Sequence, residues 1–192
     1  MKSLALKISM AVLSMIPLVA KAELIVLASP QSNDAYYAKM IDDIFDFHVD
    51  YAKKIIKNGD NVVVLTDKHL YPDYVKSLGK KHVAIAPMHD IWMRDFTSAN
   101  PAQPVIFRYT AAGQGGAKKG QAISDEVQDE FKYYSQKAGL QFTQSKLLND
   151  GGNWVENGYG NLVLSTKFLA DNKLTESEAR KKLMALTGAK QI

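Results

Sequence analysis

The chain has 192 residues, of which 46% are hydrophobic and 23% are charged, a composition that allows one buried core and argues against intrinsic disorder. Its formal net charge is +4, but residues 1–22 hold three of the 24 basic residues and no acidic one, so that 21 basic residues face 20 acidic ones in the rest. With this balance, and without a basic stripe interleaved with aromatics, the sequence predicts no nucleic-acid partner. It contains no cysteine, which excludes disulfides, thiolate metal ligands and a cysteine nucleophile on these residues.

Residues 1–22 have the order of parts that is typical of a secretory signal peptide. A short basic start precedes an apolar stretch, and Ala20-Lys21-Ala22 then supplies the small residues of a cleavage site. The apolar stretch is short for a bilayer span, although an uncleaved N-terminal anchor is the alternative. We therefore expect a domain at residues 23–192 that is exported, periplasmic or secreted, and free of the membrane after cleavage.

The first part of this domain alternates predicted strands with predicted helices. Strands are expected at residues 23–28, 61–66 and 82–86, and helices from Asn33 or Asp34 to Lys57 and at residues 71–78. His48 lies on the apolar face of the first helix. That position favours a packed, hydrogen-bonded core histidine over a catalytic one.

The second part repeats this rhythm, which predicts an α/β fold with a weak internal repeat between residues 23–86 and 104–165. Its predicted elements are a strand at 105–109, a glycine-rich loop at 111–120 without phosphate-loop spacing, a helix at 121–138, a strand-like run at 145–148 and a last helix that begins in a capping box at Thr175 and ends near Gly188.

Two stretches are unusually dense in chemically informative residues. The first, residues 90–95, reads Asp-Ile-Trp-Met-Arg-Asp and follows a predicted strand end, where α/β folds commonly place pocket residues. The second, residues 150–161, holds four of the chain's 12 glycines and one of its two tryptophans. Strand-like runs at 145–148 and 161–165 flank it and predict a hairpin at a pocket rim. We expect both stretches to belong to one pocket.

Carboxylates beside tryptophans in these stretches suit a planar cation. A carboxylate offers charge-assisted hydrogen bonds, an indole offers a cation–π surface, and guanidinium matches paired carboxylates best. The residues concerned are Asp90, Asp95, Asp150 and Glu156, with Trp92 and Trp154. The alternative is that Asp95 pairs with Arg94 or Arg108 and that both tryptophans are core. No two of the four histidines have the spacing of a helical metal pair, and no Gly-x-Ser-x-Gly elbow is present.

The motifs Ile91-Trp92-Met93-Arg94-Asp95-Phe96 and Asp150-Gly151-Gly152-Asn153, followed by Asn157-Gly158-Tyr159-Gly160, resemble those of the agmatine deiminase and bacterial peptidyl-arginine deiminase family. The resemblance covers residues 23–190, about the first half of a family member. It implies the pentein fold, an α/β propeller of five ββαβ units around a central site. This chain would supply an incomplete propeller, about two to three of those units.

The resemblance also implies a reaction and roles for residues. The family converts a guanidinium to a ureido group with release of ammonia, using a cysteine thiolate as nucleophile, a histidine as proton shuttle and carboxylates as a substrate clamp. By position, Asp95 would be the catalytic, guanidinium-binding carboxylate, and Arg94 would be structural. The substrate-binding residues would be Trp92, Asp150, Gly151, Gly152 and Asn153. No cofactor and no metal is implied.

The departures from the family lie in the catalytic groups. The chain has no cysteine, and no His-x-Asp motif follows its last predicted helix. We therefore expect the N-terminal half of a deiminase-like protein, inactive alone, which is either truncated or split from a separately encoded C-terminal half. An exported, non-catalytic binding module for guanidinium ligands is the alternative, and a non-functional remnant is a third reading. The substrate stays open between agmatine, as in putrescine biosynthesis, and peptidyl-arginine, which export slightly favours.

Overall fold

The computed structural model describes residues 23–98, 104–110 and 117–192. Within these ranges the chain forms seven strands and six α-helices. In chain order they are β1 (Leu24–Ala28), α1 (Ile41–Lys57), β2 (Asn61–Thr66), α2 (Tyr71–Leu78), β3 (Val83–Ile85), α3 (Met93–Phe96), β4 (Val105–Arg108), α4 (Ala117–Lys137), β5 (Thr143–Leu148), β6 (Val155–Glu156), β7 (Leu162–Val163), α5 (Lys167–Asn172) and α6 (Glu176–Thr187). The predicted signal peptide and residues 111–116 of the predicted glycine-rich loop lie outside the described residues.

The first part of the domain is a three-stranded parallel sheet in the order β1-β2-β3. Strand β2 has the sequence Asn-Val-Val-Val-Leu-Thr, and its β-branched residues suit a central strand with helices α1 and α2 packed against it. Because the strands are parallel, their carboxyl ends meet at one edge. There the hydroxyl of Ser29 donates to that of Thr66 at 2.8 Å.

The second part contains another strand–helix–strand unit, in which α4 connects the parallel strands β4 and β5. Helix α4 begins at Ala117, so residues 117–120, predicted as loop, are its first turn. Buried Gln128 fastens this helix to its neighbours. Its amide donates to the carbonyls of Phe96 at 3.0 Å and Phe107 at 2.7 Å and accepts from the amide of Tyr109 at 3.3 Å.

Helix α1 starts later than predicted, at Ile41 and not at Asn33 or Asp34. The carboxylate of Asp34 accepts hydrogen bonds from the amides of Tyr36 at 2.8 Å and Tyr37 at 3.4 Å. A short acidic side chain that bonds the backbone next to it in this way favours a turn over a continued helix. The turn displaces the helix start and leaves Tyr37 facing the rest of the domain.

The predicted hairpin forms, but with a different first strand. Strand β5 pairs with β4, whereas β6 pairs with β7 in an antiparallel ladder. In the connecting turn the side chain of Asn157 accepts from the amides of Tyr159 at 2.9 Å and Asn161 at 3.2 Å. Gly158 and Gly160 have φ values of 73° and 97°, a backbone region that favours glycine. The turn chemistry was therefore readable from the sequence, and the strand pairing was not.

The last helix, α6, has the predicted capping box. The hydroxyl of Thr175 accepts from the amide of Glu178 at 3.3 Å, and the Glu178 carboxylate accepts from the amide of Thr175 at 2.9 Å. Gly188 ends the helix in the left-handed region with φ of 71°. Within the described residues, no helix combines the length and apolar character that crossing a bilayer requires.

His48 is a core residue, as predicted. It is buried on α1, and its Nδ1 lies 3.1 Å from the hydroxyl of buried Tyr74 on α2. Burial lowers the pKa of His48 from 6.5 to about 4, since an imidazolium would lose its hydration there.

We expect the free energy of unfolding to fall as the pH drops from 6.5 towards 4, because the unfolded chain takes up a proton on His48 that the folded chain excludes. The shift sets an upper bound of about 3 kcal/mol for this effect. Urea unfolding of the wild-type chain and of His48→Gln between pH 4 and 7.5 measures it. A pH slope that is identical in the two chains would contradict the assignment.

Candidate active site

The first dense stretch is anchored by a short helix. Residues 87–92 follow strand β3, and helix α3 then places Met93 and Phe96 in the core. Both side chains pack in a cluster with Ala28, Met88 and Tyr109. Because the helix is fixed on its apolar side, its polar residues are held at the carboxyl edge of the first sheet.

The second stretch contacts the first at three points. The Gly151 backbone lies so close that a Cβ at this position would be 1.7 Å from the carbonyl oxygen of Arg94. The amide of Gly152 donates to Asp95 Oδ1 at 3.1 Å. Arg94 Nη2 donates to the carbonyl of Trp154 at 2.7 Å, a structural contact as expected for Arg94. The two stretches therefore meet, and Asp95 is held from the far segment.

A cavity of about 600 Å³ opens beside this contact. Four aromatic and three acidic residues and one histidine line it, and no lysine or arginine is among them. The lining residues are Asp34, Tyr36, Tyr37, His89, Asp90, Trp92, Asp95 and Tyr109. Trp92 is 62% exposed, as befits a residue at the mouth. An acidic pocket with aromatic walls is suited to a cation.

The charges around Asp95 repel one another. Burial raises the pKa of Asp95 first, and the negative charge of Asp150 raises it further, while the hydrogen bond from Gly152 acts in the opposite direction. Burial raises the pKa of Tyr109 to about 12, and the charges of Asp95, Asp90 and Asp150 add to that effect. A bound cation would relieve this repulsion.

Of the residues expected to bind substrate, Trp92 and Asp95 lie on the cavity and the others lie behind it. Asp150 accepts from the amide of Asn153 at 2.9 Å and starts a single 3-10 turn at Gly151–Asn153. The side chain of Asn153 donates to Asn149 at 3.0 Å and accepts from the amide of Ser165 at 2.9 Å. Gly151, Asn153 and Asp150 thus brace the loop whose Gly152 amide reaches Asp95.

The alternative ion pairs for Asp95 are not formed within the described residues. Arg94 is engaged by Trp154, and Arg108 makes two hydrogen bonds to the carboxylate of Asp125, at 2.8 and 2.6 Å. The second tryptophan, Trp154, is core, with 2% of its surface exposed and its ring 5.4 Å from that of Phe107. The core alternative thus holds for Trp154 and fails for Trp92.

The histidines do not assemble a proton shuttle beside Asp95. A His-x-Asp sequence does occur, at His48-Val49-Asp50, but His48 is bonded to Tyr74 and Asp50 pairs with Lys54 at 2.7 Å on the surface. His82 lies 3.0 Å from the Val62 carbonyl.

His89 is the one histidine that lines the cavity among the described residues. Its Nε2 lies 3.8 Å from Glu126 and 3.7 Å from Glu130, both on α4. No group of three or more histidine and acidic side chains in the described ranges is arranged to hold a metal ion.

The sequence did not predict that Asp34, Tyr37 and Tyr109 form one wall of the cavity, or that His89 also lines it. Their positions depend on the turn at Asp34 and on strand β4, which lies far from that turn in sequence. Asp34 carried a signal, because a helix-capping residue can also direct a turn. Tyr37 and Tyr109 carried none beyond their aromatic character.

Replacing Asp95 by asparagine should raise the free energy of unfolding at neutral pH, since the half-buried, repelled carboxylate is removed while Oδ1 still accepts from Gly152. The pKa of Asp95 is raised on folding, so the gain should appear as the pH rises through that pKa and vanish below its ordinary value of 3.8. Urea unfolding at several pH values tests this. The matched control Asp125→Asn should lose stability at neutral pH, because Arg108 holds the pKa of Asp125 below its usual range. A loss in Asp95→Asn equal to the control's would contradict the expectation.

Comparison with solved structures identifies proteins of similar fold. The C. jejuni agmatine deiminase has a similar fold, with a TM-score of 0.67 and 18% identity over 90% of this chain and 52% of that one. A second structure of that enzyme, a variant with substrate bound, has a TM-score of 0.64 and 19% identity, and the match covers 90% of this chain and 52% of that one. Agmatine deiminase of Enterococcus faecalis has a TM-score of 0.61 and 13% identity, and the match covers 88% of this chain and 49% of that one.

The chain therefore spans about half the length of these solved structures. No curated protein matches its sequence. The family model of the Porphyromonas-type peptidyl-arginine deiminases matches residues 14–192, nearly the whole sequence. The chain belongs to the Porphyromonas-type peptidyl-arginine deiminase family.

Proposed function

We propose that this chain carries the guanidinium-binding part of a deiminase site, which converts a guanidinium group to a ureido group with release of ammonia. The observation that carries the proposal is the meeting of the two segments at Asp95. The Gly152 amide fixes that carboxylate, and Asp150 adds charge behind it. The cavity in front is lined by aromatic residues.

Guanidinium fits this cavity better than other cations do. Its planar fork of N–H donors can contact both oxygens of Asp95, and its face can lie against the exposed ring of Trp92. The raised pKa of Asp95 records repulsion that a cation would replace with attraction. The agmatine deiminases of similar fold act on a guanidinium compound according to their names.

The remaining chemical groups would come from the other half of the family's fold. Deimination in the family needs a thiolate that attacks the guanidinium carbon, expels ammonia and is released by water, and this sequence contains no cysteine. We place the thiolate and the proton-shuttling histidine in the C-terminal half of the family's fold, outside the half that this chain matches. The two halves together would complete a pentein propeller, of which this chain supplies about two to three units. We further propose that residues 1–22 direct export of this half.

The hairpin β6–β7 offers a surface for that second half. Val155 and Val163 are paired across its strands and lie on the same face, and both are well exposed, as is Tyr159 at the turn. Next to the hairpin, an apolar cavity of about 280 Å³ opens between β7 and α6. A two-stranded sheet with an exposed apolar face is a site where further strands or a packing partner would gain stability.

The chain should bind agmatine, and Asp95→Asn should weaken this binding more than tenfold, because a half-buried carboxylate facing a cation is lost (about 1.4 kcal/mol for each tenfold). Calorimetric titration at pH 7 measures it, and affinity should rise with pH through the raised pKa of Asp95. The control Asp125→Asn removes the same charge outside the cavity and should change affinity less than twofold. An equal loss in both variants would mean that only net charge matters.

The chain alone should release no ammonia from agmatine or from an arginine-containing peptide, because it has no thiol nucleophile. Combination with a C-terminal half that carries the thiolate and the histidine should give ammonia in an enzyme-coupled assay, and Asp95→Asn should abolish it. Ammonia from the purified chain alone would overturn this assignment. A complex that binds agmatine without releasing ammonia would instead indicate a non-catalytic binding module.

A further inference from the structure

Asp90 is the most deeply buried of the three carboxylates that line the cavity, and its orientation is fixed from two sides. With 8% of its surface exposed, its Oδ1 accepts from its own loop, from the amides of Ile91 at 2.7 Å and Trp92 at 3.4 Å. From another segment, the hydroxyl of Tyr37 donates to the same oxygen at 3.2 Å. Among the described residues, these donors all reach Oδ1, so Oδ2 is the oxygen left to a ligand.

Tyr37 reaches Asp90 because of the turn at Asp34. That turn replaces the first helical turns predicted for α1 and buries Tyr37, with its ring centroid 4.9 Å from that of Tyr36. Burial raises the pKa of Tyr37 far above its ordinary value, and the charge of Asp90 and the hydrogen bond to it add to the effect. The hydroxyl therefore keeps its proton and acts as a donor to Asp90.

The charges of the cavity exceed what one guanidinium can compensate. Asp95, with Asp150 behind it, is sufficient to bind one cation. Asp90 is less exposed than Asp95. It faces no lysine or arginine among the described residues that line the cavity. The imidazole of His89 is directed at Glu126 and Glu130 of α4. A buried carboxylate without a counter-charge is costly, so a ligand that carries a second cation would gain from Asp90.

We propose that Tyr37 is a positioning residue that holds Asp90 as a second cation subsite, and that this pair makes the cavity select ligands with two positive charges. The inference rests on the proposed function, since the first cation is the guanidinium at Asp95. Tyr37 acts through Asp90 and need not touch the ligand. A free dication would then be preferred to the singly charged side chain of an arginine residue within a peptide.

Two probes separate this inference from the proposed function. Agmatine carries a guanidinium and an ammonium group, whereas n-butylguanidine keeps the guanidinium and the alkyl chain and lacks the ammonium. We expect the full wild-type chain to bind agmatine about tenfold more tightly than butylguanidine in calorimetric titrations at pH 7, as one charge-assisted contact provides. Tyr37→Phe and Asp90→Asn should each weaken agmatine binding about five- to tenfold and leave butylguanidine within twofold.

The double variant tests whether Tyr37 acts on the ligand through Asp90. Because Tyr37 acts through Asp90, the double variant should lose no more than Asp90→Asn alone. Tyr51→Phe, on the exposed side of α1, is the control and should change neither affinity. Asp95→Asn should weaken both probes equally.

Each contrary outcome has a distinct meaning. Equal wild-type affinity for the two probes would overturn the second subsite and leave the guanidinium site standing. A parallel loss of both probes in Tyr37→Phe would also overturn it, because that is the effect of a purely structural role. If neither probe binds the wild-type chain, the proposed function falls, and this inference falls with it.

Discussion

The candidate site depends on a close approach between two segments that are distant in the sequence. At position 151 the backbone lies against the Arg94 carbonyl at a distance that no side chain larger than hydrogen permits. That approach places the next amide, of Gly152, within reach of Asp95, and it places the Trp154 carbonyl within reach of the Arg94 guanidinium. The glycine pair therefore acts less as a flexible loop than as a spacer of minimal size, and the geometry at Asp95 follows from it.

The local chemistry of the sequence predicted most of the secondary structure and part of the site. Strand β2, helix α2 and the capping box of α6 depend on neighbouring residues, and all three were predicted correctly. The start of α1 was wrong because the Asp34 side chain bonds the backbone ahead of it and forms a turn. The first strand of the hairpin was wrong because pairing partners are decided by tertiary packing, which places β5 beside β4.

The same division applies to the site. The proximity of the two dense stretches was predictable from their composition and motifs, and Trp92 and Asp95 do lie on the cavity. The wall formed by Tyr37 was not predictable, because its hydroxyl meets Asp90 only after a turn, a helix and a parallel sheet have brought together residues that are 53 positions apart. Tyr109 arrives from β4 in the same way. Site residues that belong to a sequence motif could be predicted, whereas site residues that reach the cavity only through the tertiary structure could not.

The acidic side chains of the cavity lower the free energy of unfolding, although they suit the cavity to a cation. Asp95 is held by one backbone amide while burial and the charge of Asp150 raise its pKa, and three donors share one oxygen of the buried Asp90. Such an arrangement costs folding free energy that an isolated domain would avoid by using neutral side chains. The hydrogen bonds of buried Gln128, which join α3, β4 and α4, help to offset that cost by fixing the elements behind the cavity.

Trp154 links helix α3 to the β6–β7 hairpin, because its carbonyl accepts from Arg94 while its ring packs in the second core cluster. Any contact on the hairpin would therefore act on the segment that also holds Asp95, so packing at the hairpin and the geometry at Asp95 are physically coupled.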